Sequence, residues 1–232
     1  VEQLVNLYNQ GQIASVIEQA ELLIEQYPGA AVVWNILGAS RAQIGKLDEA
    51  IDAYKKTISL NPDYAEAYNN MGVALRNQGK LDEAIEAYKK SVTLKPDYAE
   101  AYNNMGVTFK DQGKFDEAID TYKKTISLKP GYAEAYDNMG VTFKNQGKLD
   151  KAIEAYNKSI LLKPDHAKAY YNMGNVLRDQ LKLDEANEYY SKSISLKPNY
   201  ADAYNNMGLA LHYQDKMEEA IQAYNKTLSL NP

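Results

Sequence analysis

The chain has 232 residues and no cysteine, which excludes disulfides, thiolate metal sites and a cysteine nucleophile together. A net charge of −5 disfavours nucleic acid as a partner, because phosphate-backbone binding needs a clustered excess of Lys and Arg. No apolar run approaches the roughly 18 residues of a membrane span, and Val1-Glu2-Gln3 opens no signal peptide, so a soluble, cytoplasmic protein with no membrane partner is expected.

Taken in chain order, the sequence is periodic. Gly38, Gly72, Gly106, Gly140, Gly174 and Gly208 are 34 residues apart, and the prolines from Pro28 to Pro232 keep the same step. Residues 1–30 fit as a divergent, truncated repeat, with Gly11 and Pro28 in phase. Full repeats follow at 31–64, 65–98, 99–132, 133–166 and 167–200, and 201–232 lacks two positions. The expected organisation is one solenoid over residues 1–232. The absence of an initiator Met and the Asn231-Pro232 ending suggest a piece of a longer polypeptide.

Each repeat predicts two helices. In residues 65–98 the apolar set Tyr68, Met71, Gly72, Leu75 falls at i, i+3, i+4, i+7, the stripe of an amphipathic helix, here called helix A. Asn77-Gln78-Gly79-Lys80 breaks the pattern with a glycine suited to a left-handed C-terminus. A second stripe, Leu81, Ala84, Ile85, Tyr88 and Val92, marks helix B, with Asp82 and Glu83 at the end where the helix dipole favours them. Pro96 stops helix B, and Asp97 with Glu100 reads as a capping box for the next helix A, as does Asp63 with Glu66. Gly72 and Ala84 are expected where the two helices cross closely. Neither helix buries its stripe alone, so stability must come from stacking against neighbouring hairpins.

Tyr68, Met71, Gly72, Leu75, Ala84, Tyr88 and Pro96, with Trp34, Leu37, Gly38, Ala50, Tyr54 and Pro62 one repeat earlier, stand in the order of the tetratricopeptide repeat family, which the chain resembles along nearly its whole length. The Tyr-Asn-Asn-Met-Gly stretches resemble the O-GlcNAc-transferase-like subgroup of such arrays. The resemblance implies an all-α, right-handed superhelical solenoid of antiparallel helix hairpins that binds a protein or peptide and catalyses nothing, or else the non-catalytic, substrate-recruiting arm of a longer enzyme such as a glycosyltransferase. Departures are few. Arg41 replaces a large apolar residue, and Leu181 and Asp215 replace the turn glycine seen at Gly79, Gly113 and Gly147. A β-carbon at Leu181 costs about 1–2 kcal/mol if the left-handed conformation is kept.

No residue set points to catalysis, a metal or a cofactor. His166 occupies a slot held elsewhere by Tyr64, Tyr98, Tyr132 and Tyr200, and reads as a packing variant. The recurring pairs Asp48-Glu49, Asp82-Glu83, Asp116-Glu117 and Asp184-Glu185 sit at helix starts, where dipole compensation explains them. The methionines from Met71 to Met207 lie on the apolar stripe and read as core filling.

What remains is the face of helix A that packing does not use, which the family resemblance places in a concave groove. Its bands recur from repeat to repeat. An amide band runs Asn70, Asn104, Asn138, Asn172 and Asn206, flanked by Asn69 and Asn103. Next come Val73, Val107, Val141 and Asn175, then the basic row Arg76, Lys110, Lys144 and Arg178. An amide both donates and accepts, so the asparagine band is suited to bind the backbone of an extended peptide. The family's clamp for acidic C-termini is not expected, because the fifth positions Asn35, Asn69, Asn103, Asp137, Tyr171 and Asn205 include no lysine. A weak homo-association is also expected, through apolar residues left uncovered at the two ends: Leu4 and Leu7 at one, Tyr224, Leu228 and Leu230 at the other.

Overall fold

A computed structural model of the chain describes residues 1–230, and Asn231 and Pro232, the expected stop of the last helix, lie outside the described residues. The described residues are all-α, an array of helical hairpins with no strand. They group into two compact units, Val1–Lys124 and Thr125–Pro232. The first contains α1 (Glu2–Asn9), α2 (Ile13–Gln26), α3 (Ala31–Gln43), α4 (Leu47–Leu60), α5 (Ala65–Asn77), α6 (Leu81–Leu94) and α7 (Ala99–Asp111). The boundary falls within α8 (Phe115–Leu128). The second unit continues with α9 (Ala133–Asn145), α10 (Leu149–Leu162), α11 (Ala167–Asp179), α12 (Leu183–Leu196), α13 (Ala201–Tyr213) and α14 (Met217–Leu230).

Within a hairpin, one turn sets the angle between helices. At the end of α5, Gly79 N–H bonds Arg76 C=O and Lys80 N–H bonds Leu75 C=O, satisfying two carbonyls that the helix leaves orphaned. Gly79 has φ 77°, a conformation glycine adopts without penalty. The helices then close on a glycine–tyrosine contact: a β-carbon at Gly72 would lie 2.7 Å from the Tyr88 ring, and one at Gly140 would lie 2.6 Å from Tyr156. Ala84 and Ala152 are fully buried beside these rings. The expected close crossing is present, and its physical content is room for an aromatic ring. Burial pushes the Tyr88 phenol up to about 12.

The start of helix A differs from the expected capping box. Tyr64 and Tyr98 occupy the cap positions with no side-chain cap bond, and Asp63 and Asp97 stand one residue too early. The chain makes a tight turn first: Tyr64 N–H bonds Asn61 C=O, and Ala65 N–H bonds Asp63 C=O. Glu66 instead meets Lys95, just past the end of α6, at 2.8 Å, and that hydrogen bond holds its carboxyl below the usual range. Ser91 of α6 donates to Ala65 C=O at 2.8 Å, and Ser193 of α12 repeats the contact with Ala167 C=O.

Three departures resolve clearly. Arg41 reaches out of the stripe to Glu21 at 2.8 Å and Glu49 at 3.3 Å. Leu181 keeps the glycine geometry with φ 61°, its N–H bonding Arg178 C=O and Lys182 N–H bonding Leu177 C=O. The turn is retained and the side chain is 79% exposed, so the β-carbon strain is present without compensating burial. Asp215 does the same at φ 59°.

The N-terminal end corrects one expectation. Leu4 is 1% exposed, packed with Val16, Ala20, Val33 and Leu37, and Leu7 joins the same cluster. These two residues close the divergent first hairpin onto α3, so they do not form an open apolar end.

Candidate functional site

The sequence-derived band of groove residues falls on alternate helices. In the first unit it lies on α5 and α7, with Asn35 of α3 in line. The amides are engaged with one another. Asn104 donates to Asn69 Oδ1 at 3.0 Å, Asn70 donates to Asn35 Oδ1 at 3.4 Å, and Asn69 donates to Asn70 Oδ1 at 3.4 Å. The sixth residue of one repeat thus donates to the fifth of the repeat before it. Asn69 and Asn103 are buried, at 1% and 6% exposure. Asn69 joins successive helices A through Asn104 and also lines a concavity, whereas Asn70 and Asn104 stay half-exposed.

The second unit uses the same pairing with other residues. Asn172 donates to Asp137 Oδ1 at 3.0 Å, and Asn206 donates to the Tyr171 hydroxyl at 3.0 Å and to Asn175 Oδ1 at 2.8 Å. Tyr190 also donates to Asn175, at 2.9 Å. Asn172 and Asn175 are therefore buried members of an internal network, while Asn138 and Asn206 are half-exposed. Burial pushes the Asp137 carboxyl up, against the Asn172 hydrogen bond and the charges of His166 and Lys168. His166 lies with Nδ1 3.3 Å from Ser159 Oγ.

Beyond the amides, Val73, Val107 and Val141 are half-buried. The basic row is partly neutralised in a regular way. Asp111 sits between Lys110 at 3.3 Å and Arg76 at 3.9 Å, and Asp179 sits between Arg178 at 3.0 Å and Lys144 at 3.2 Å. One carboxylate between two cations leaves an excess positive charge at each place. In the first unit a concavity of about 380 Å³ is lined by Asn70, Val73 and Asn77 of α5, with Gln43, Tyr54 and Glu100 around them. It places Val73 between amide and charged groups.

A second set of inter-repeat bonds has no counterpart in the sequence reading. Gln78 donates to Asp48 at 2.8 Å, Gln112 to Asp82 at 2.9 Å, Gln180 to Asp150 at 3.2 Å and Gln214 to Asp184 at 2.8 Å. Asp48, Asp82 and Asp184, read as dipole partners, are thus also acceptors for the glutamine ending a neighbouring helix A, and Asp150 acts with them. One glutamine per repeat at constant spacing was the available signal. Among the described residues no group of three or more His, Cys, Asp or Glu is placed to hold a metal ion, and no helix is long and apolar enough to cross a membrane.

The sequence matches a family described as TPR repeat over residues 38–79, 74–113, 142–180 and 174–215. Descriptions reading tetratricopeptide repeat match 99–132 and 201–232, and also 121–154. No curated protein matches significantly. Among solved structures, MamA is 34% identical over 69% of this chain and 94% of its own, with a TM-score of 0.62. The Cut9-Hcn1 assembly of the APC/C aligns over 99% of this chain and 45% of its own, at 21% identity and a TM-score of 0.80. YrrB, described as having an unusual peptide-binding site, aligns over 86% of this chain and 99% of its own, at 22% identity and a TM-score of 0.62. The last two likenesses concern the fold alone.

Proposed function

Because the chain belongs to the tetratricopeptide repeat family, we propose that this protein-interaction scaffold binds an extended segment of a partner protein along the half-exposed face of its A helices. The observation that supports the reading most is the arrangement on α5 and α7: Asn70 and Asn104, then Val73 and Val107, then Arg76 and Lys110, beside a concavity of about 380 Å³. The buried Asn69 amide accepts from Asn104 of the next helix A, and the half-exposed residues present the binding chemistry. An extended segment loses chain entropy on docking, so affinity per segment is expected to be about micromolar. The test uses peptides selected from a random library on the immobilised chain, then measured by fluorescence anisotropy. Arg76→Ala with Lys110→Ala is expected to weaken them about tenfold or more, the scale of lost charge-assisted bonds. Unchanged affinity on a variant with an unaltered melting curve would overturn the reading.

A second reading, self-association, rests on α14. Ile221 is 57% exposed, whereas Ile51, Ile85 and Ile119 at the same repeat position are buried at 5%, 4% and 6%. Leu228 is 65% exposed, while Tyr224 is turned inward against Gly208. A second copy of the chain covering this face would pair α14 with α14 about a two-fold axis. Sedimentation over a concentration series tests it, with association expected to weaken in Leu228→Glu. A strict monomer at high micromolar concentration would contradict it.

A further inference from the structure

On the face of α5 turned away from Asn70 and Val73, a cleft of about 740 Å³ opens between α4 and α6. Tyr68, Met71 and Leu75 of α5 line it, with Ile85 of α6 and Phe109 of α7, and Ala87 stands in its wall. A cavity of this size, apolar in its lining, falls in the range of sites that take ligand groups. Its rim is cationic in a chain of net charge −5: five lysines against three carboxylates. Lys89 is paired with Glu86 at 2.8 Å, but Lys80, Lys90 and Lys114 have no ion pair among the described residues.

The second unit shows what this register accepts. Three repeats on, Tyr68 becomes Tyr170 and Ala87 becomes Tyr189. The two rings lie with centroids 6.1 Å apart, tilted by 36°, and Tyr189 packs against the buried cluster of that unit. There the chain fills its own site with an aromatic ring. In the first unit Ala87, itself only 5% exposed, stands at that register in the wall of the cleft, beside a half-buried Tyr68.

We propose that this cleft docks an acidic partner segment carrying an aromatic residue, whose ring takes beside Tyr68 the place that Tyr189 takes beside Tyr170, with its carboxylates on Lys90, Lys114 and Lys80. The surface is separate from the A-helix groove, and either can fail without the other.

The probe is a fluorescein-labelled peptide with one phenylalanine flanked by aspartates, read by anisotropy at low salt. Controls replace the phenylalanine by alanine or the aspartates by lysines. Saturable binding is expected for the first peptide and not for the controls. Ala87→Tyr installs the ring that the second unit already tolerates at this register, and is expected to weaken binding about tenfold or more, as loss of a central anchor does. Lys90→Glu with Lys114→Glu changes only exposed side chains and is expected to do the same. Should Ala87→Tyr fold poorly, this charge variant decides. Arg76→Ala with Lys110→Ala is expected to leave the binding unchanged. The proposal is overturned if the wild-type chain shows no saturable binding, if the charge variant binds as well as wild type, or if the groove variant alone abolishes binding.

Discussion

The junction of α5 with α7 in the first unit and that of α9 with α11 in the second are built to one plan from different residues. In the first, Asn104 donates to an amide oxygen, Asn69 Oδ1, at 3.0 Å; in the second, Asn172 donates at the same 3.0 Å to a carboxylate, Asp137. The turn after α5 uses Gly79 at φ 77°, and the turn after α11 uses Leu181 at φ 61°. Ala87 stands in the wall of a cleft, and Tyr189 at the same register packs its ring beside Tyr170. The repeat therefore specifies roles: an acceptor at the fifth position, a donor at the sixth, a left-handed residue at the turn. The second unit fills the same roles with residues that burden the fold more, a buried charge and a strained leucine.

The largest expected effect strikes what the units share. Gly72→Ala and Gly140→Ala each force a β-carbon to within 2.7 and 2.6 Å of a buried tyrosine ring. Both should lower stability by about 1–3 kcal/mol, the cost of overpacking, in reversible urea denaturation. A loss in one unit alone would show that the close contact is not common to both.

Leu181→Gly addresses the turn that differs. Relieving the left-handed leucine should raise stability by about 1 kcal/mol. Asp215→Gly should give less, because aspartate tolerates this conformation better than leucine does. Equal gains from both, or none from Leu181→Gly, would show that the difference from Gly79 carries no strain.

Asp137→Asn converts the second junction to the first. Burial raises the Asp137 pKa above that of the unfolded chain, so the folded state binds its proton more tightly. Stability is then greatest below the ordinary carboxylate range and falls as pH rises through the raised value. Above the raised value the penalty is fully present, and there the amide should add about 1 kcal/mol while still accepting from Asn172. Denaturation at neutral and at acidic pH separates the two cases: the gain should shrink as pH falls below the ordinary carboxylate range. A gain independent of pH would mean that the buried charge is not its source.

The smallest effect belongs to the Glu66–Lys95 pair, whose side chains are 42% and 44% exposed. Solvent screens such a pair, and Lys95→Ala should change stability by about 0.5 kcal/mol or less.

Much of the fold was legible in the sequence because the 34-residue step ties each side chain to a fixed place on one of two helices. Gly72 and Ala84 announced the close helix crossing, though not the Tyr88 ring that fills it, and Leu181 announced a turn without its glycine. The site was legible only in part. Asn69 and Asn70 are adjacent in sequence but do different work between repeats, one buried and accepting from Asn104, the other half-exposed and donating to Asn35, and only the offset between stacked helices reveals that. Asp63 and Glu66 fit a capping pattern, yet the preceding turn through Asn61 moves the cap to Tyr64 and frees Glu66 for Lys95. Leu4 looked open because its repeat is truncated, and packing onto Val33 and Leu37 of α3 buries it.

The central claim is that the half-exposed face of the A helices receives the partner while the buried amides hold the repeats together. Its most direct test is an NMR titration of the wild-type chain with a library-selected peptide, following backbone and side-chain amides together with methyl groups. The expected footprint covers Val73, Val107, Arg76, Lys110 and the Asn70 and Asn104 amides, with the buried Asn69 amide little changed. A footprint that leaves these groove residues unmoved while the peptide binds would contradict it.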